Sequence, residues 1–143
     1  MFLIEKEEVM AEIKKINDYM EKCLWMDFTL CQSSWGSIEF YGAIDQTYNN
    51  YVDNYEIKLV FDYPHFVSSL FSWTAKPSRP FINLCSVEKE AEMIMKYNVE
   101  QGNYIFEINA EGYDSPPIIV SAKKIACEIL NEKPFPSVHE RVE

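Results

Sequence analysis

The residues able to carry chemistry are few and scattered. There are two histidines, His65 and His139, and four cysteines, Cys23, Cys31, Cys85 and Cys127. No C-x-x-C spacing occurs, which argues against a zinc ribbon or a dithiol redox motif. A metal site needs converging ligands, and Asp62 with His65 forms only a lone D-x-x-H at a strand end. Nucleophilic catalysis needs a base beside Ser or Cys, and neither G-x-S-x-G nor a Cys/His signature is present. The four glycines form no phosphate-cradling loop. Glu39, Glu56 and Glu107 fall at outward positions of expected strands, where solvated faces explain them better than a carboxylate pair for glycoside hydrolysis. No catalytic residue, metal or cofactor is therefore expected.

Charge and aromatic side chains carry more information. The chain has 143 residues and a formal net charge of -10. Between Cys23 and Ala75 there are six acids and a single base, Lys58. Between Tyr97 and Ala122 there are four acids and no base. Such a surface is a poor partner for nucleic acid, whose phosphates require Lys and Arg. It would steer a basic partner toward itself. Tyrosines cluster in the same stretches. Tyr48, Tyr51 and Tyr63 accompany Asp53, Glu56 and Asp62, and Tyr113 sits between Glu111 and Asp114. Tyr offers a large contact area at low entropic cost and is enriched in interfaces. These nine residues are the candidate partner-binding set. Tyr55 and other tyrosines could instead pack at the core edge with their hydroxyls outward.

The elements that would position them follow from periodicity. Val9, Ile13, Ile16, Met20 and Leu24 recur at spacings of three and four, predicting a helix over 4–24 with one apolar stripe. Its acidic first turn suits the helix dipole. Two alternating runs, 24–31 and 38–45, flank a short turn containing Gly36 and predict a hairpin. The clearest strand is 55–62, with Tyr55, Ile57, Leu59 and Phe61 on one face. Further strands are expected at 67–73, 81–85, 104–110 and 118–130, the last bent where its alternation slips at Ala122-Lys123-Lys124. Ser86 is placed to cap a second helix over 87–97, with Ala91, Ile94 and Met95 as its apolar face.

This order predicts an α+β domain over 1–130: a mainly antiparallel sheet of about six or seven strands, an N-terminal helix and one further helix packed against it. Residues 131–143 read as a C-terminal tail. The first residues lack a basic start and a signal-length apolar run, and no segment is long and apolar enough to span a membrane. A cytoplasmic protein with four reduced thiols is the expectation.

The run YEIKLVFDYPHFVSSLFSW, then FINL, a Glu-rich helix and YIFEINAE…IIVSAKKIACEI, resembles small sheet-rich immunity proteins of bacterial toxin systems, including contact-dependent growth inhibition. The resemblance covers residues 38–130 and rests on strand patterns, so no binding residue carries over. It implies a stoichiometric inhibitor that occludes the active site of a basic toxin domain, for example a nuclease. Two other classes compete. One is a small enzyme or ligand-binding domain with a pocket between sheet and helices. The other is a structural subunit, which should show an exposed apolar patch.

Overall fold

A computed structural model describes residues 2–23, 25–34, 36–43, 55–75, 80–98, 102–109 and 118–132. Within them the chain runs α1 (Phe2–Glu21), β1 (Met26–Ser34), β2 (Ser37–Ala43), β3 (Ile57–Asp62), β4 (Phe66–Ser68) and β5 (Ser72–Ala75). It continues through β6 (Ile82–Leu84), α2 (Val87–Tyr97), β7 (Tyr104–Ile108), β8 (Ile118–Ala122) and β9 (Lys124–Ile129). The α+β class, the antiparallel pairing and the N-terminal helix are as expected.

The strands number nine among the described residues and divide between two sheets, instead of six or seven in one. One sheet has the order β5-β1-β2-β3-β9 and the other β4-β8-β7-β6. Two expected strands are each split by this division. Residues 67–73 contain the end of β4 and the start of β5, in different sheets, with Ser69, Leu70 and Phe71 between them. Residues 118–130 contain β8 and β9, also in different sheets. The slip in alternation at Ala122-Lys123-Lys124 marks the point where the chain changes sheet.

Burial explains the two patterns. All five residues of β8 are buried, because both faces of that strand are covered. Ile118, Val120 and Ala122 face the main core, while Ile119 faces a smaller cluster with Met93 of α2 and Ile105. β3 instead alternates, with Ile57, Leu59 and Phe61 fully buried and Lys58, Val60 and Asp62 half-buried. The inward faces of the two sheets meet through aromatic rings. Phe61 of β3 lies 5.2 Å from Phe106 of β7, and Phe28 of β1 lies 5.2 Å from Phe81 beside β6. Phe28 also stacks on Trp73 at 5.4 Å. Gly42 makes room for it: a Cβ there would come within 2.8 Å of the Phe28 ring and 2.9 Å of Ile57.

The stripe of α1 is buried as its spacing demands: Val9, Ile13, Ile16 and Met20 all belong to the main core. The helix is shorter than expected, ending at Glu21, and Leu24 lies outside the described residues. α2 occupies the expected 87–97, and Ser86 caps it by accepting the Lys89 N–H at 3.1 Å. Its inward residue differs, however. Met93 is buried, whereas Ala91 is exposed and Met95 is 87% exposed. The helix is rotated so that Met93 reaches Ile105 and Ile119 on the outer face of the second sheet.

Truncating the α1 stripe should be costly. Ile13→Ala is expected to lose about 2–5 kcal/mol, the range for a buried aliphatic. Met10→Ala, on the exposed side, should stay within about 0.5 kcal/mol. Urea unfolding of both variants checks this. A loss for Ile13→Ala as small as that for Met10→Ala would place the stripe outside the core.

Candidate functional site

The outer face of the five-stranded sheet carries a network built from three strands. Register sets Tyr41 of β2 opposite Lys58 of β3, and Lys58 opposite Glu128 of β9. Glu39 lies two residues from Tyr41 and therefore on the same face. The Tyr41 hydroxyl donates to Glu39 Oε1 at 2.5 Å. Lys58 Nζ sits 3.2 Å from Glu128 Oε2 and 3.8 Å from Glu39 Oε2. It also lies over two rings, 5.3 Å from the centroid of Tyr55 and 5.8 Å from that of Tyr41. The two rings meet edge to face at 5.3 Å. Tyr55 thus stands on the outer face, not with Ile57, Leu59 and Phe61, and β3 begins after it. Glu39, read from sequence as a solvated face, is only 7% exposed.

Every resolved shift in this network moves a group away from neutral pH. Burial, then the bond to Glu39, holds the Tyr41 hydroxyl well above the usual tyrosine range. Burial likewise raises Tyr55. Burial opposes the Lys58 ammonium, but Glu128 and Glu39 outweigh it and the amine is raised. The bond to Lys58, with help from Tyr55, lowers the Glu128 carboxyl. These groups hold fixed protonation states at neutral pH. That suits a scaffold or a contact surface, not a proton-transfer centre, which needs a group poised near the working pH.

Of the nine candidate partner-binding residues, Tyr48, Tyr51, Asp53, Glu111, Tyr113 and Asp114 lie outside the described residues. The other three flank opposite ends of β3, separated by about 20 Å at 3.3 Å per residue. Glu56 is half-buried, and its carboxylate accepts the Asn131 side-chain amide at 3.0 Å. Its backbone carbonyl accepts the Leu130 N–H at 3.0 Å. Asp62 stands opposite Ser37 and Lys124, and its carbonyl accepts the Lys123 N–H at 3.1 Å. Tyr63 is 64% exposed and adopts a left-handed backbone, φ 52°.

Glu39 and Glu107 lie in different sheets, on β2 and β7. His65 is exposed, with Nε2 3.3 Å from the Asn98 carbonyl oxygen. Among the described residues no group of three His, Cys, Asp or Glu side chains could hold a metal. None of the four cysteines is paired in a disulfide. No helix among the described residues is long and apolar enough to cross a membrane.

Sequence reasoning missed two features. One is a cleft of about 430 Å³ between α1 and the start of β9, lined by both charged and tyrosine side chains. The other is an apolar corner where β4 leads into β5. Phe71 is 69% exposed there, with Leu70 and Val67 beside it in the chain at 41% and 36%. Neither had a local signal, because each depends on where the chain leaves one sheet for the other. Comparison with known proteins gives no match: no family model, no curated protein and no solved structure is similar to this chain.

Two outcomes are expected. Lys58→Met leaves Glu39 buried beside an apolar group and should cost about 1–3 kcal/mol, the range for leaving a buried polar group without its partner. Adding Glu39→Gln should recover part of that loss, so the double variant is more stable than the sum of the singles implies. Additive losses in urea unfolding would mean the pair is not coupled. The second outcome concerns alkaline pH. Burial pushes the Cys23 thiol from about 9 up to about 12 and Cys85 up to about 11, and raises Tyr19, Tyr41 and Tyr55. In each case the unfolded chain releases its proton at a lower pH than the folded chain. The stabilisation is complete below about pH 9 and is lost as pH rises through the folded values. Urea midpoints should therefore fall between pH 8 and about pH 10.5. A flat or rising profile would contradict the burial of these groups.

Proposed function

We propose that the protein is a non-catalytic binder that neutralises a basic protein domain, in the manner of a toxin-immunity protein occluding an active site. The observation that carries this reading is the state of Lys58. It is the single base between Cys23 and Ala75, and Glu39 and Glu128 hold it. The stretch 45–63 would then offer its acids to a partner with its one base, Lys58, already paired. With 111–114 it would act in place of the phosphates that a basic nuclease-type domain binds. Tyr48, Tyr51, Tyr63 and Tyr113 would supply the apolar anchors.

The test is a low-salt pull-down with the tagged full chain, followed by measurements on the basic protein it captures. Isothermal titration should give a one-to-one complex, and stopped-flow association should slow with added salt. Asp53→Lys with Asp62→Lys should weaken binding far more than Glu88→Lys with Glu92→Lys on α2, although both pairs change net charge equally. Tyr51→Ala should lose about 1 kcal/mol or more as an anchor. No complex, or equal losses from the two charge pairs, would reject the reading.

A further inference from the structure

Two chain crossings meet beside α1. After β3 the chain passes through Tyr63, Pro64 and His65 to β4 in the second sheet. After β8 it returns through Lys123 to β9 in the first. The bond from Lys123 N–H to the Asp62 carbonyl, 3.1 Å, ties the crossings together. The cleft of about 430 Å³ opens between this seam and α1. That volume falls in the range of small-molecule sites.

Its lining is sorted by charge. The α1 wall carries Glu8 and Glu12, one turn apart on one helix face. Glu12 is held in place, since its Oε1 accepts the Cys127 N–H at 3.1 Å. The strand wall carries Lys123 and Lys124. Among the described residues no ion pair joins the two walls. Tyr63 and Tyr104 also line it, with Val9, Gly102 and Ile125 among the described residues. The left-handed backbone of Tyr63 is rare for a bulky residue and leaves its ring 64% exposed.

We propose that this cleft binds a small zwitterion bearing a guanidinium and a carboxylate, the arginine class of ligand. The two glutamates give a guanidinium paired acceptors, and tyrosine rings offer faces on which that planar, weakly hydrated cation stacks. The lysine pair takes the carboxylate. A chain of net charge -10 would attract a simple cation anywhere on its surface. The lysine wall is what selects a ligand that also carries negative charge. This site is independent of the partner-binding reading and shares with it only Tyr63.

The experiment is an NMR titration of the ¹⁵N-labelled full chain with L-arginine, agmatine and L-norleucine. Agmatine lacks the carboxylate, and norleucine lacks the guanidinium. Arginine should give saturable shifts at Gly102, Lys123 and Ile125, with a Kd of about 1 mM or tighter. The other two should bind at least about tenfold more weakly. Glu8→Gln and Lys123→Ala, both at exposed positions, should each weaken arginine about fivefold or more, while Glu88→Gln should not. An otherwise unchanged spectrum shows that each variant is folded. No saturable shift with arginine overturns the proposal. So does agmatine binding as tightly as arginine, which would reduce the cleft to a general cation site.

Discussion

The fold depends on how α1 closes two sheet edges at once. A strand at the edge of a sheet leaves backbone donors and acceptors unpaired, and these must be covered or solvated. β9 is such an edge in the first sheet and β6 in the second. From α1, Glu12 accepts the Cys127 N–H of β9 at 3.1 Å. One turn and a half further on, Asn17 treats β6 as a neighbouring strand would. Its amide donates to the Ile82 carbonyl at 2.8 Å and its oxygen accepts the Ile82 N–H at 2.9 Å. Tyr19 then donates to the Asn131 carbonyl at 2.8 Å, holding the chain just beyond β9. Polar side chains flanking an apolar stripe thus fix the helix across the mouth of the core, and Ile13, Ile16 and Met20 fill the space between the sheets. The ring contacts Phe61–Phe106 and Phe28–Phe81 stay dry because that side is closed.

Much of this was legible in the sequence, but only where the signal is local. The stripe of α1, the cap and bounds of α2 and the alternation of β3 each arise within a dozen residues. Alternation says that one face of a strand is buried without saying what buries it. It could not show that the inward residues of β3 and β7 face one another across two sheets. The segments that change sheet are short, and β4, with three residues, has too few positions to display a period. The all-buried β8 does not alternate because α2 covers its second face, a fact absent from the strand itself. For the same reason the inward face of α2 was misplaced: Met93 and Met95 are chemically identical, and only the position of Ile105 and Ile119 separates them.

The network around Lys58 shows the same limit from the side of chemistry. Only the Glu39–Tyr41 pair is local. Lys58 and Glu128 arrive from residues 19 and 89 positions beyond Glu39, through pairing that no spacing rule encodes. Burying a carboxylate is unfavourable unless it is bonded and paired. Here a hydroxyl and an ammonium do both. The arrangement also specifies register. A one-residue slip of β3 would send Lys58 into the aromatic core and bring Phe61 to the surface, so the polar face penalises mispairing as strongly as the apolar face favours the native alignment.

The sheet change at Lys123 connects the fold to the surface it presents. A strand that continued straight past Ala122 would have kept its alternation and extended one sheet. By turning at Lys123, the chain sends β9 to the edge of the other sheet, where α1 is needed to cover it. The turn leaves Lys123 and Lys124 exposed, beside the acidic side of the helix that does the covering. Tyr63, at the companion crossing, is held outward by a backbone conformation that a regular strand would not impose. The charged cleft is therefore a consequence of splitting the strands between two sheets: had 118–130 been one strand, its walls would not face each other.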